Sequence, residues 1–385
     1  MQKEYLLTPG PTPLLPQVQE ALSRPIIHHR TAQYRALFKR VLQGLQTAMQ
    51  TANPVVLFTS SGTGAMEAAV CNLLSPGDRA IVVLGGKFAE RWQQLGTAFG
   101  VEVTPVQVAY GDAVDPEQVR HALKQAPEAK AVFATLCETS TGVVHDIEAL
   151  AAIVKPTNAV LVVDAISGLL AEDCRTDAWG LDVVVSASQK GLMLPPGLAF
   201  MSLSHKAQQL VERSKNARFY FDLRKYLKTL ADDDTPFTSS VSLVVALDGA
   251  LKLILAEGVE PVLQRCQRMA EATRAGVEAI GLSLFAKRPA NGVTAVNVPA
   301  TVDGKRLVKL LQDRYNVTLA GGQGEMAGKL FRIAHMGYIA PFDILVALGA
   351  IELVLIELGM PLAAGEGLKA AQAVIGHLAS AAPAF

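Results

Sequence analysis

The chain has 385 residues, half of them apolar, with 35 Lys or Arg against 35 Asp or Glu and a formal net charge of zero. That length and apolar share supply a large buried core, while the balanced charge, with no long block of one sign, leaves no footprint for nucleic acid or an anionic membrane. Four cysteines, Cys71, Cys137, Cys174 and Cys266, form no CxxC pair, which argues against a zinc site or a disulfide framework and suits a reducing compartment.

The opening "MQKEYLLTPGPTP" has no apolar run and turns at once into prolines; it does not read as a signal peptide, and a cytoplasmic location is expected. Within 33–51, Leu37, Val41, Leu45 and Met49 recur every four positions, the mark of one apolar helical face. Strand-like apolar runs then follow at 54–60, 79–85, 101–108, 130–136, 159–165 and 181–187. Helix-like segments separate them, from about 63, from about 88, and over 116–125 and 146–154. Strands apolar on both faces and separated by helices predict a largely parallel sheet covered on both sides.

After "GLAFMSLS" (197–204) a charged stretch (205–234) leads into a long helical region, about 239–280. A second α/β block has strands at 294–299 and 329–336, a helix opened by Asp303 as N-cap, and a last helix closed by Gly359,. The run "FDILVALGAIELVLIELG" carries Asp343, Glu352 and Glu357 and reads as a core helix, not a membrane span. The expected division is an N-terminal segment (1–20), a large domain (21–255) and a small C-terminal domain (256–385).

Three features fall at strand ends, where open α/β sheets bind ligands. "SSGTGAME" (60–67) joins a strand to a helix; its small residues let backbone amides converge on an anion, with hydroxyls from Ser61 and Thr63, although an ordinary capped turn has the same composition. Asp164 follows a run of apolar residues, where a buried carboxylate needs a cation, a strong donor or a helix to cap. Lys190 stands where the apolar "LDVVVSAS" breaks into "QKGLMLPPG"; a desolvated lysine loses its proton more easily and forms a Schiff base with a carbonyl. Phosphate anchor, counter-ion for a ring nitrogen and amine for an aldehyde are together what pyridoxal 5'-phosphate requires.

"LLTPGPTP", "SSGTGAMEAA", "CETSTGV", "VVDAISG", "SASQKGLMLPPG", "TPFTSSVSL" and "GGQGEMAGKLFRIAHMG" together resemble the class V aminotransferases, in particular the alanine–glyoxylate and serine–pyruvate (serine–glyoxylate) branch. The resemblance runs from Leu6 to Gly359. It implies a pyridoxal-phosphate transferase of fold type I, with a mainly parallel seven-stranded sheet in a large domain and a smaller C-terminal α/β domain. It implies that Lys190 is the Schiff-base lysine and proton shuttle, and that Asp164 keeps the pyridine nitrogen protonated. Ser61, Gly62 and Thr63 match the phosphate loop, with Gln189 reaching the phosphate as well. Thr139 matches a hydroxyl that bonds the cofactor's ring oxygen or nearby substrate, Phe88 an aromatic ring stacked on the pyridine, and Arg332 the arginine that grips the substrate carboxylate. Thr235 and Thr238 match a segment that reaches the phosphate of the neighbouring subunit, which implies a homodimer, and the turn around Gly10 would line the substrate mouth. The implied reaction moves the amino group of alanine or serine to glyoxylate or pyruvate.

Other readings compete. Gly322 to Ala327 fits GxGxxA, but a strand resumes too soon for the helix that a dinucleotide site needs, and Gly321 and Gly322 read better as turn residues that deliver Arg332. Cys137 and Cys266 invite comparison with cysteine desulfurases, yet neither falls on the expected mobile C-terminal loop, and both read as structural. His28 and His29 lack a third metal ligand at suitable spacing, and His335 reads as a satisfied packing residue. Phosphoserine or aminoethylphosphonate transamination would need an extra cationic pocket. A non-catalytic hydrogenase-associated subunit is a further alternative, against which the intact set of Lys190, Asp164 and Arg332 speaks.

Overall fold

The computed structural model, which describes residues 3–379, shows what the doubly apolar strands are for. In Val160–Asp164, Leu161 and Val163 enter one hydrophobic cluster while Val160 and Val162 enter another. The strands Ala131–Thr135 and Arg79–Leu84 divide in the same way, with Val132, Ile81 and Val83 on one face and Phe133, Ala80 and Val82 on the other. Successive side chains point to opposite faces of a strand, so each apolar run serves two cores, at roughly 1.5–3 kcal/mol for each large side chain fully buried.

The sheet has seven strands in the order Val55–Phe58, Ala199–Leu203, Val183–Ala187, Val160–Asp164, Ala131–Thr135, Arg79–Leu84, Glu102–Gln107. Six run in one direction, and Ala199–Leu203 runs against both of its neighbours. The mainly parallel seven-stranded sheet that the family resemblance implies is therefore present; six strands lie within two residues of the apolar runs read from the sequence, and the seventh, Ala199–Leu203, falls in the stretch 197–204 that was not read as a strand. The helix Ala32–Ala48 buries Leu37, Val41 and Leu45, and Thr31 caps it by accepting from the Tyr34 amide.

The C-terminal block is a three-stranded antiparallel sheet in the order Val293–Asn297, Leu330–Ala334, Ala320–Gly321. Asp303 caps the helix Gly304–Tyr315 through the amides of Lys305 and Arg306, as predicted. The N-terminal strand Tyr5–Leu6 pairs in parallel with Val317–Thr318, and the Ala334 amide donates to Leu7 O. Thr12 N then donates to Gln189 O at 3.2 Å, so the segment 5–12 runs from the C-terminal block to the loop that carries Lys190.

Three local expectations change. The long helical region is two helices, Val241–Glu257 and Val259–Ala279, broken at Gly258, whose φ of +96° suits glycine,. The short helix Pro16–Leu22 was not expected; proline in its first turn loses no hydrogen bond,. The helix Pro341–Glu357 ends near Gly359 as expected but is not the last, because Glu366–Ala379 follows and packs on Val259–Ala279. The rest of the Ala-rich tail, from 380 on, lies outside the described residues. No helix among the described residues is long and apolar enough to cross a membrane.

The two blocks meet at buried polar groups. Glu172, 6% exposed, accepts from the amides of Asn291 and Gly292. His335 follows the strand Leu330–Ala334; its Nδ1 meets Asn291 O at 2.9 Å while Nε2 has no partner, so the residue is only half satisfied. Burial lowers its pKa to about 3 and keeps it neutral. Glu172→Ala strands two buried amides and is expected to cost about 2–4 kcal/mol, read as a fall in the urea midpoint; a change below about 0.5 kcal/mol would show that the contact is not part of the cooperative fold.

Candidate active site

Because six strands point one way, the loops that follow them gather along one sheet edge. There a cavity of about 240 Å³ is lined by Ser61, Gly62, Thr63, Phe88, Asp164 and Lys190, among others. A second cavity of about 320 Å³ shares Gly10, Phe88, Thr139 and Lys190 with it and extends to Gln323 and Arg332. Gln189 also lines the first cavity, where its Oε1 is buried without a partner.

Lys190 is 7% exposed, and its Nζ donates to Pro9 O. Burial lowers its pKa to about 8, so an appreciable share of the amine is neutral near physiological pH,. The residue fits only because Gly10 has no side chain: a Cβ there would lie 2.5 Å from Lys190 Cε. Thr12 Oγ1 donates to Lys190 O at 3.0 Å and closes the turn over the lysine.

Asp164, 3% exposed, ends the strand beneath the cavity, and its carboxylate accepts from the Ile166 amide at 2.8 Å. No cation among the described residues is in ion-pair range, and burial pushes its pKa up to about 7. A protonated ring nitrogen is the partner that such a carboxylate lacks.

The helix Gly62–Leu73 starts beside it, with Ser61 as N-cap and no side-chain capping bond. The Gly64 amide donates back to Ser61 O at 2.9 Å, while the amides of Gly62 and Thr63 precede the helix's own acceptors. A Cβ on Gly62 would lie 2.5 Å from Ile166 Cδ1, so glycine lets this helix start approach the strand end closely.

Two residues that the sequence reading passed over hold the opposite wall. Glu138 is fully buried and accepts from the amides of Phe88 (3.4 Å), Ala89 (2.9 Å) and Ser140 (3.1 Å) and from Ser140 Oγ. It thereby fixes the start of the helix Ala89–Ala98 and the ring of Phe88 ahead of it. Arg91, one turn further on, donates to Thr63 Oγ1 at 3.0 Å, and its Cζ lies 5.4 Å from the Phe88 ring centroid. The only sequence signal for Glu138 was an acid inside the otherwise buried "CETSTG". Thr139 Oγ1 shares a hydrogen bond with Ser167 Oγ, a further hydroxyl on the cavity wall.

Arg332, 4% exposed, lies in the middle strand of the C-terminal sheet. Nε and Nη2 donate to Gly321 O (3.2 and 2.8 Å) and Nη1 donates to Thr139 O (2.9 Å). Each terminal nitrogen therefore keeps one uncommitted hydrogen. Burial lowers the guanidinium to about 10, still charged at neutral pH. Gly321 is a strand residue opposite Phe331, not the turn residue expected, and it orients Arg332 through its carbonyl. The GxGxxA stretch holds only the 3₁₀ turn Gly324–Met326 before the strand Leu330–Ala334, with no helix for a dinucleotide.

Thr235 and Thr238 are not brought to this cavity. Thr235 is 4% exposed and its hydroxyl donates to Phe237 O, in a loop fastened by Arg30 to Asp234 and to Thr235 O. Thr238 is exposed. All four cysteines are free and buried, and burial raises Cys71 and Cys174 to about 12 and Cys137 and Cys266 above their usual range, so none offers a thiolate. Among the described residues no group of three His, Cys, Asp or Glu side chains could hold a metal ion.

The family pattern described as "Aminotransferase class-V" matches residues 5–336. The chain belongs to the class V aminotransferases. These enzymes depend on pyridoxal phosphate, and the buried amine of Lys190, the uncompensated Asp164 carboxylate and the open helix start at Gly62 fit that cofactor. The soluble hydrogenase small subunit of Synechococcus sp. (strain PCC 6716) is 41% identical over 97% of this chain and 98% of its own. The L-aspartate–glyoxylate aminotransferase of Paracoccus denitrificans is 36% identical over 95% of each chain. The crystal structure of pyridoxamine–pyruvate aminotransferase from Mesorhizobium loti superposes with a TM-score of 0.93, at 32% identity and 98% coverage of both chains.

The raised pKa of Asp164 means that the folded chain without cofactor binds this proton more tightly than the unfolded chain does. The resulting penalty is small near pH 4 and grows as pH rises to about 7,. Asp164→Asn should therefore stabilise the cofactor-free protein at pH 8 by up to about 4 kcal/mol, a gain that shrinks toward zero as pH falls to 4. Urea denaturation at the two pH values reads this directly, and an equal gain at both would place the effect outside this ionisation.

Proposed function

We propose that this class V aminotransferase moves the amino group of a small amino acid, alanine or serine, to glyoxylate or pyruvate, and that it works as a homodimer. The observation that carries the reading is Arg332, a buried guanidinium with one free hydrogen on each terminal nitrogen, facing the same cleft as Lys190. One α-carboxylate satisfies it in a bidentate grip. Arg332 and Lys190 are the cations lining the second cavity among the described residues, which leaves no partner for a second carboxylate or a phosphate on the donor. Acceptors named in related enzymes, glyoxylate in one and pyruvate in another, support the acceptor class.

The residues take the following parts. Arg332 binds and orients the substrate by its carboxylate. Lys190, whose proton burial loosens and which Pro9 O aims, takes and returns the proton at the substrate Cα,. Bound pyridoxal phosphate supplies the aldehyde and the electron-withdrawing ring. Asp164 would hold the proton on its ring nitrogen, Phe88 would stack against its ring, Ser61, Gly62, Thr63 and Gln189 would hold its phosphate, and Thr139 with Ser167 offers hydroxyls on the cavity wall. The N-terminal turn through Gly10 excludes water from the lysine. Thr238, exposed, is the better placed of the two threonines to reach a second copy's phosphate, since the Thr235 hydroxyl is engaged within its own loop.

The non-catalytic alternative, suggested by the name of the Synechococcus relative, leaves the cost of burying Asp164, Lys190 and Arg332 unexplained. In the test, the near-visible absorbance of the holoprotein should bleach on adding L-alanine or L-serine, and Lys190→Ala should abolish turnover while still binding cofactor. Undiminished turnover in that variant would sink the assignment. Arg332→Ala should raise KM for the amino acid roughly 100-fold while an amine lacking the carboxylate reacts as before; unchanged amino-acid kinetics would remove Arg332 from the site.

A further inference from the structure

Among the described residues Arg91 is a cation without an ion-pair partner. It is half-buried, it lines the first cavity, and its guanidinium donates to a neutral hydroxyl, Thr63 Oγ1. Among the described residues no carboxylate lies in ion-pair range of it. A guanidinium carries five N–H donors; one of them goes to Thr63 Oγ1, and the side chain, half-buried on the cavity wall, has others to offer an anion that enters there. Its neighbours on the same wall are accounted for differently: Lys87 is paired with Glu90 at 2.8 Å, and Arg332 spends three donors on carbonyls.

The position of Arg91 says what would complete it. Thr63 belongs to the helix start at Ser61–Thr63, where free amides and the positive end of the helix dipole already favour an anion,. Arg91 also lies against the Phe88 ring, on the wall that Glu138 fixes. One guanidinium therefore touches both the turn that would take the phosphate and the ring that would cover the pyridine.

We propose that Arg91 is a ligand of the cofactor phosphate, supplying the charge that the neutral Ser61–Thr63 turn lacks and joining that turn to the Phe88 wall. The proposal rests on reading this turn as the phosphate end. A ligand of the phosphate matters to pyridoxal phosphate and not to pyridoxal, whereas a residue that merely props the wall matters to both.

The test compares dissociation constants of both compounds for apoprotein prepared from the holoenzyme. Arg91→Gln should weaken pyridoxal phosphate at least tenfold and pyridoxal less than threefold, with Arg91→Lys recovering part of the loss. Equal weakening of both, or no weakening of either, overturns the proposal. Should Arg91→Gln fail to fold, the wild-type apoprotein decides: pyridoxal phosphate should protect Arg91 from phenylglyoxal, mapped by peptide mass spectrometry, and pyridoxal should not. Equal protection by the two overturns it. Wild-type protein that binds both compounds equally tightly would instead overturn the placement of the phosphate at this turn, and the proposal with it.

Discussion

An amine held out of water at the end of a buried strand is the constraint on which the rest of the site depends. Burying Lys190 costs several kcal/mol unless its charge is lost or met, and the chain meets it with a carbonyl, Pro9 O, from the far end of the sequence. That carbonyl is in place because the segment 5–12 is tied at one end to Val317–Thr318 and Ala334 and at the other to Gln189 and Lys190. The C-terminal sheet thus helps to set the ionisation of a lysine on the central sheet, and the absence of a side chain at Gly10 makes the approach possible.

The same economy governs the other charges. Glu138, Asp164, Lys190 and Arg332 are all buried, yet no ion pair joins any two of them among the described residues. Each is held by backbone or hydroxyl groups instead: amides for the acids, carbonyls for Lys190 and Arg332. Direct pairing would stabilise the empty fold more but would spend the charges on one another. Oriented by neutral dipoles, they keep their electrostatic reach for a ligand that carries charge of both signs, and they need not reorganise when it binds.

The central sheet was legible in the sequence because all its strands but the edge strand Glu102–Gln107 are buried along their length, and continuous Val, Ile and Leu runs admit few other readings. Asp164 and Lys190 were legible for a related reason: a charge closing such a run is conspicuous. Glu138 and Arg91 were not. Glu138 sits beside hydroxyl residues in a short loop, where an acid is unremarkable until four donors are seen to converge on it. Arg91 occupies a helix whose sequence shows only amphipathic spacing, and its meaning depends on Thr63, which lies 28 residues earlier. The turn-in of Thr235 depends on Arg30, 205 residues away, a contact no local pattern encodes. The break at Gly258 was visible as a glycine but not as a break, since an isolated glycine is tolerated inside helices.

Glu138 also explains why the site is shared between loops rather than built on one. Its carboxylate faces only donors, so it must remain ionised to satisfy them despite the burial that raises its pKa,. Two of those donors begin the helix that carries Arg91, and two belong to Ser140, next to the Thr139 whose carbonyl holds Arg332. A Cβ at Gly86 would lie 2.4 Å from this carboxyl group, so the carboxylate fits only against a bare backbone. One buried anion therefore sets, within a few bonds of itself, the ring of Phe88, the start of the Arg91 helix and the support of Arg332. A shift at Glu138 would displace both the cofactor wall and the carboxylate grip, which ties substrate positioning to cofactor positioning without any direct contact between the two.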